Sequence, residues 1–390
     1  MVKIPYPVWL MTLAQALGMV TAPMVVFVGG FLGVALAPSI SMATLPIASL
    51  VVGSALASMP AALIMQRIGR RRGFIYATIL ALLASMLAFY SVRHGSFWGL
   101  CFSILLLGMH LAFVQQFRFA ALEWVKPEQV ATTASVVLLG GLVAAWLGPE
   151  MVMLGKELFA QTFSGAFVLL AVSHSLLLAL LTIMPFAASA HHDQAASRRP
   201  LKELLKAPAL GAAMASGAVA FGVMSLIMTA TPVSMTEILH FPLAQTKTVI
   251  QSHIMAMFLP SLITPLLLRW LSIIRLLMLG LAAMVVAISI AILDQGYWGY
   301  WWALVCLGLG WNFLFVGGTT LLTQSYRPED GFRVQAVNEF CVFTSQALTS
   351  LMAGWLVFSY GWFAINLLAI PLLMLALAML ARWAMTSARP

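Results

Sequence analysis

The chain has 390 residues, of which 62% are hydrophobic and 8% charged, and its mean hydropathy is +1.01. A soluble domain carries about a quarter charged residues, so this composition cannot supply a water-facing outer layer and lipid must be the solvent. The net charge of +9 would suit nucleic acid in a soluble protein; in lipid it reflects the Lys and Arg that cytoplasmic loops retain, and no nucleic-acid partner is expected.

A bilayer-crossing helix needs about 20 apolar residues, which leaves room for twelve with short connections. Strands of a membrane barrel would alternate apolar and polar residues. The runs here do not: Phe167–Leu181 is interrupted only by Ser173, His174 and Ser175. The first apolar run, Tyr6 to Val34, is far longer than the h-region of a signal peptide, about 7–15 residues, and reads as an uncleaved span.

In chain order the predicted spans are Tyr6–Leu32, Ala43–Met65, Phe74–Val92, Phe97–Leu122, Ala131–Gly155 and Phe163–Pro185. After a polar stretch follow Ala209–Pro232, Thr248–Leu268, Leu276–Leu293, Trp298–Thr323, Val334–Phe358 and Trp362–Trp383. The expected fold class is therefore an all-α membrane protein of twelve transmembrane helices in two six-helix pseudo-repeat bundles. The bundles are residues 1–186 and 208–390, joined by a cytoplasmic linker over 187–207.

Charge orients this map. With both termini cytoplasmic, only Arg93, Lys156 and Lys247 fall outside, and every other Lys and Arg falls inside. The cluster Trp298, Tyr300, Trp301 and Trp302 lies at a predicted outer boundary, where amphipathic rings prefer to sit. Cys101, Cys306 and Cys341 lie within apolar runs, which argues against a disulfide framework. His191 and His192 in the linker have no third ligand nearby, so no metal site is expected.

Two loops repeat. Lys126-Pro127-Glu128-Gln129 follows the fourth span and Arg327-Pro328-Glu329-Asp330 the tenth, while Arg67 ends the second span as Arg269 ends the eighth. Duplicated six-helix halves are a transporter architecture.

The segment Gln66-Arg67-Ile68-Gly69-Arg70-Arg71-Arg72-Gly73 predicts a tight cytoplasmic turn at Gly69, with guanidinium groups able to bond helix-end carbonyls and carboxylates. It resembles the signature of the major facilitator superfamily between spans 2 and 3, Gly-x-x-x-Asp-Arg/Lys-x-Gly-Arg-Arg/Lys. Ala62 replaces the first glycine and Gln66 the aspartate. The resemblance implies alternating access, with Gln66, Arg67, Gly69, Arg70 and Arg71 in a cytoplasmic latch. Gly148-Pro149 in span 5 matches the centre of a weaker family motif associated with antiporters, with Ala144, Val152 and Met153 at its other positions.

In the family, spans 1, 4, 7 and 10 line a central cavity. This implies Gln15, His110, Gln115, Gln116, Trp311 and Asn312 as candidates for binding a moderately polar organic solute. Ionisable residues within spans are costly unless they face a cavity or a partner. Glu150, His174 and His253 are accordingly candidate coupling groups, with protons as a candidate coupling ion. Arg118 is expected to pair with Glu123 or Glu339, or to reach the interface, in a gating role; Glu150 stands near enough to the headgroups to pair with Lys156.

The expected function is secondary active transport of a small organic solute across a bacterial-type inner membrane, by a protein working as a monomer. An efflux antiporter for toxic compounds is the alternative within this fold. A lipid-modifying membrane enzyme is the alternative outside it, disfavoured because the charged residues within spans are isolated. No Walker-type nucleotide loop is present, and no cofactor is expected.

Overall fold

The computed structural model describes residues 4–126, 129–186, 200–204, 206–267, 270–327 and 330–387. The paired histidines of the linker, the Pro-Glu steps of both repeated loops, Arg269 and Arg389 lie outside them. Among the described residues the secondary structure is helical throughout.

The helices are α1 (Tyr6–Met19), α2 (Thr21–Leu36), α3 (Leu45–Ile68), α4 (Arg70–Arg93), α5 (Phe97–Val114), α6 (Phe117–Leu122), α7 (Val130–Gly155) and α8 (Ser164–Ile183). They continue with α9 (Leu201–Leu204), α10 (Pro208–Val233), α11 (Leu243–Phe258), α12 (Thr264–Leu267), α13 (Ile273–Leu293), α14 (Tyr297–Gln324) and α15 (Gly331–Ser387). Among the described residues ten helical stretches are long and apolar enough to cross a membrane. The last of these, within α15, contains Gly361 at φ 78°, a backbone turn that separates two helical lengths at the predicted boundary of spans 11 and 12.

Three predicted spans are broken, each differently. Span 1 divides at Val20, where Pro23 has no N–H to return to the carbonyl of Met19. Span 8 ends as a regular helix at Phe258 and continues through a 3₁₀ turn, Leu259–Leu262, that contains Pro260. Span 4 tightens at Gln115 and Gln116, where the Gln116 N–H bonds the Phe113 carbonyl at 2.9 Å before α6 resumes.

Glycines set the closest helix approaches. A Cβ on Gly140 would stand 2.5 Å from the Thr12 carbonyl oxygen, and one on Gly148 would stand 2.8 Å from the Met24 nitrogen. With Ala144 buried between them, these residues form a small-residue seam along which α7 lies on α1 and α2. Gly53 and Gly108 bring α3 and α5 together in the same way, each facing the other helix's backbone carbonyl.

The chain divides into two compact units, Met1–Ala190 with Pro232–Phe258, and His191–Thr231 with Leu259–Pro390. The first contains α1–α8 and α11; the second contains most of α10 with α13, α14 and α15. Trp298 and Trp302 of the predicted boundary cluster are exposed. Tyr300 is not: it is buried, its ring 4.6 Å from that of Trp362, whose indole N–H bonds the Ala291 carbonyl. The three cysteines are free thiols.

Candidate functional site

Polar groups inside apolar helices need partners, because an unpaired buried donor or acceptor costs about 1–3 kcal/mol. In the first unit two buried hydroxyls converge on His174. Ser173 donates to the Leu17 carbonyl at 3.0 Å and Ser175 to its own helix at Ala171. His174 stands between two hydroxyls, with Nδ1 3.0 Å from Ser85 Oγ of α4 and Nε2 3.1 Å from Thr21 Oγ1 of α2. All three residues are fully buried.

The hydroxyls assign the tautomer. Ser85 gives its single proton to the Ala81 carbonyl at 2.8 Å, so toward His174 it accepts, and Nδ1 carries the hydrogen. Nε2 then accepts, and Thr21 donates to it.

His110 of α5 packs against this ring, with centroids 5.0 Å apart and planes at 82°. It too is buried, yet neither of its ring nitrogens has a hydrogen-bond partner among the described residues. The buried Gln15 side-chain oxygen is likewise unbonded. His110 and His174, which sequence reasoning assigned to different roles, thus form one pair. The partners of His174, Thr21 and Ser85, were missed, because isolated hydroxyls in apolar spans carry no distinguishing signal.

A second cluster joins α7 to α11. Lys247 Nζ donates to Glu150 Oε1 at 2.8 Å, and the Gln251 amide donates both to that oxygen at 3.3 Å and to the Trp146 carbonyl at 3.0 Å. The expected Glu150–Lys156 pair does not form: Lys156 lies 3.6 Å from Glu157 instead. His253 is buried further along α11.

The predicted turn forms at Gly69, whose φ of 86° suits a residue without Cβ. Arg70 Nε donates to Glu123 Oε1 at 2.6 Å, so one of the two carboxylates expected for Arg118 serves the turn, and the Arg118 guanidinium lies 4.7 Å from the Phe119 ring centroid. Arg71 reaches the Thr182 carbonyl at the end of α8. A carboxylate and a helix-end carbonyl thus meet the basic loop, while Gln66 and Arg67 are exposed. Gln115 and Gln116 are half-buried at the α5–α6 break, and Glu339 is half-buried in α15.

In the second unit Trp311 stacks on Phe315, with centroids 5.0 Å apart and planes at 17°, and Phe221 of α10 meets both rings edge-on at 5.0 and 5.5 Å. Trp311 is buried and the two phenylalanines half-buried. Asn312 turns its amide to Ser261 Oγ at 2.5 Å, bracing the 3₁₀ turn that follows α11. Phe221 and Phe315 were not singled out from sequence, since phenylalanine in an apolar span is unremarked.

No group of three metal-ligating side chains occurs among the described residues. The chain matches the model of the Major Facilitator Superfamily over residues 8–342. It is 33% identical over 376 residues to the riboflavin transporter RfnT of Brucella anthropi, covering 94% of this chain and 93% of the relative. It is 30% identical to the MFS-type transporter YddS of Bacillus subtilis over 85% of this chain and 80% of that one. In fold it resembles a bacterial homologue of the human lysosomal transporter Spinster, with TM-score 0.69, 11% identity and coverage of 98% and 96%. It also resembles a bacterial homologue of the iron transporter ferroportin, with TM-score 0.67, 15% identity and coverage of 97% and 100%.

Proposed function

As the chain belongs to the major facilitator superfamily, we propose that it moves riboflavin, or a flavin much like it, by alternating access. It is a multi-pass membrane transport protein and not an enzyme. The observation that carries the choice of solute is the 33% identity to RfnT, which runs nearly the full length of both chains.

The ring cluster Phe221, Trp311 and Phe315 supports this reading. Isoalloxazine is a planar tricycle with an apolar benzenoid edge and a polar pyrimidine edge. An indole face backed by two phenyl rings offers stacking to the first, and amides suit the second. The ring cluster is our candidate solute contact in the second unit, and Gln15, Gln115 and Gln116 are the candidate amides of the first. Asn312 belongs with the ring cluster as the residue that positions Trp311's neighbourhood, through Ser261.

The rest of the cycle follows the twelve-span, six-plus-six plan, with both termini cytoplasmic and the monomer as the working unit. The Glu150–Lys247–Gln251 cluster suits an outer gate better than a proton carrier, because the carboxylate's charge already has an ammonium partner. The turn at Gly69, with Arg70 on Glu123 and Arg71 on α8, suits the inner latch. Gly148 faces the backbone of α2, so Gly148-Pro149 has a packing cause and lends no weight to export.

The test is growth. A riboflavin-auxotrophic bacterium lacking its own transporter, expressing this chain, should grow at low external riboflavin and take up labelled riboflavin saturably. Failure to do either, with the protein present in the membrane, would reject the proposed solute.

A further inference from the structure

We propose that His110 and His174 form a single proton-binding site that couples transport to the pH gradient, with His110 gaining and losing the proton and His174 positioning it. This rests on the transport reading above but not on the solute being a flavin.

His174 has both nitrogens occupied by hydroxyls and is held in one tautomer. His110 has two nitrogens, neither bonded among the described residues, and both buried. A neutral imidazole always offers one donor and one acceptor, so the pocket around His110 lacks the partners that a purely structural histidine would recruit. The acceptor nitrogen is the place for an incoming proton: it takes one from water, becomes an imidazolium, and returns it to water.

The pair geometry limits the count to one. A protonated ring set edge-to-face against a neutral ring is attracted through the π face, whereas two protonated rings at 5.0 Å repel in a medium with little screening. The site therefore binds one proton per cycle.

Among the described residues the surroundings contain no group to balance that charge. His110 lies on α5, against α1, α2, α3 and α4, while His174 lies on α8, against α1, α4 and α7. The titratable groups on these helices are Tyr6, Arg67, Arg70, Arg71, Arg72, Tyr76, Tyr90, Arg93, Cys101 and Glu150. Tyr6, Tyr76 and Tyr90 are exposed. Arg67, Arg70, Arg71, Arg72 and Arg93 lie at helix ends, and Glu150 is bound to Lys247. Cys101 lies more than two turns away on α5. An unbalanced imidazolium in this interior is costly, so protonation favours whichever conformation opens the pair to water. That preference is the coupling.

The test uses purified protein in proteoliposomes, with riboflavin as the probe solute and H110N and H174N as variants. Uptake driven by an imposed pH gradient is compared with counterflow, in which no net proton movement is needed. In H110N the ratio of driven uptake to counterflow should fall at least about tenfold, and in H174N by less. A proportional loss of both activities in H110N would overturn the proposal and make His110 a solute contact or a fold determinant. Independently of any solute, ¹⁵N-histidine spectra of the wild type should show an imidazole signal that moves with pH and is absent from H110N. A His110 signal that stays fixed across the pH range in which driven uptake changes, or over any accessible pH if no solute is moved, would overturn it as well.

Discussion

Lys247 Nζ lies 2.8 Å from Glu150 Oε1, joining α11 to α7 through two half-buried charges that are far apart in the chain. Removing one partner leaves the other charge poorly solvated, at a cost of about 1–3 kcal/mol. If this pair is the outer gate, E150Q and K247M should each slow counterflow roughly tenfold. The exchange E150K with K247E should recover most of the loss. Equal, unrescued loss in the double variant would mean that position, not charge pairing, matters.

The same pair separates gating from coupling. E150Q should keep the wild-type ratio of pH-driven uptake to counterflow even as both rates fall. A collapse of that ratio in E150Q would return the proton to Glu150.

Gly140 and Gly148 predict a stability effect. Alanine is the better helix former by about 1 kcal/mol, yet a Cβ at either position meets backbone at 2.5 to 2.8 Å, and α7 must move off α1 and α2. G140A and G148A should therefore lower the thermal unfolding midpoint in detergent, the overpacking costing about 1–3 kcal/mol of stability. G141A, whose Cβ would meet only the Phe258 ring at 3.3 Å, should change it little.

Much of the fold was legible because the solvent was. Apolar runs of helical length and Gly69 at a turn follow from lipid and hydrogen-bonding physics, and apart from spans 1, 4 and 8 the observed helices begin and end close to the predicted spans. What was not legible depends on rotation. These helices are apolar nearly all round, so their pattern does not say which face meets which neighbour. His110 and His174 could each be recognised as misplaced in lipid, but nothing in the spacing announced that they touch. Glu150 was given to the nearer lysine in sequence, and the structure gives it to the one on α11. Glu123 went to Arg70 rather than Arg118 because the turn at Gly69 brings α4's first residue beside the end of α6.

The ring cluster predicts a graded effect on affinity. An aromatic pair contributes about 0.5–1.5 kcal/mol beyond buried area, so F221L should weaken riboflavin binding about three- to tenfold, measured by quenching of flavin fluorescence. W311F, which keeps a ring against Phe315, should lose less than W311L. Unchanged affinity in both F221L and W311L would remove this cluster from the solute site.

The most direct measurement is counterflow of labelled riboflavin into proteoliposomes that hold only this protein and are preloaded with unlabelled riboflavin. The label should overshoot transiently above its equilibrium level and lose the overshoot when the vesicles are not preloaded. Entry no faster than into protein-free vesicles, with no overshoot, would contradict the assignment of a flavin to this transporter.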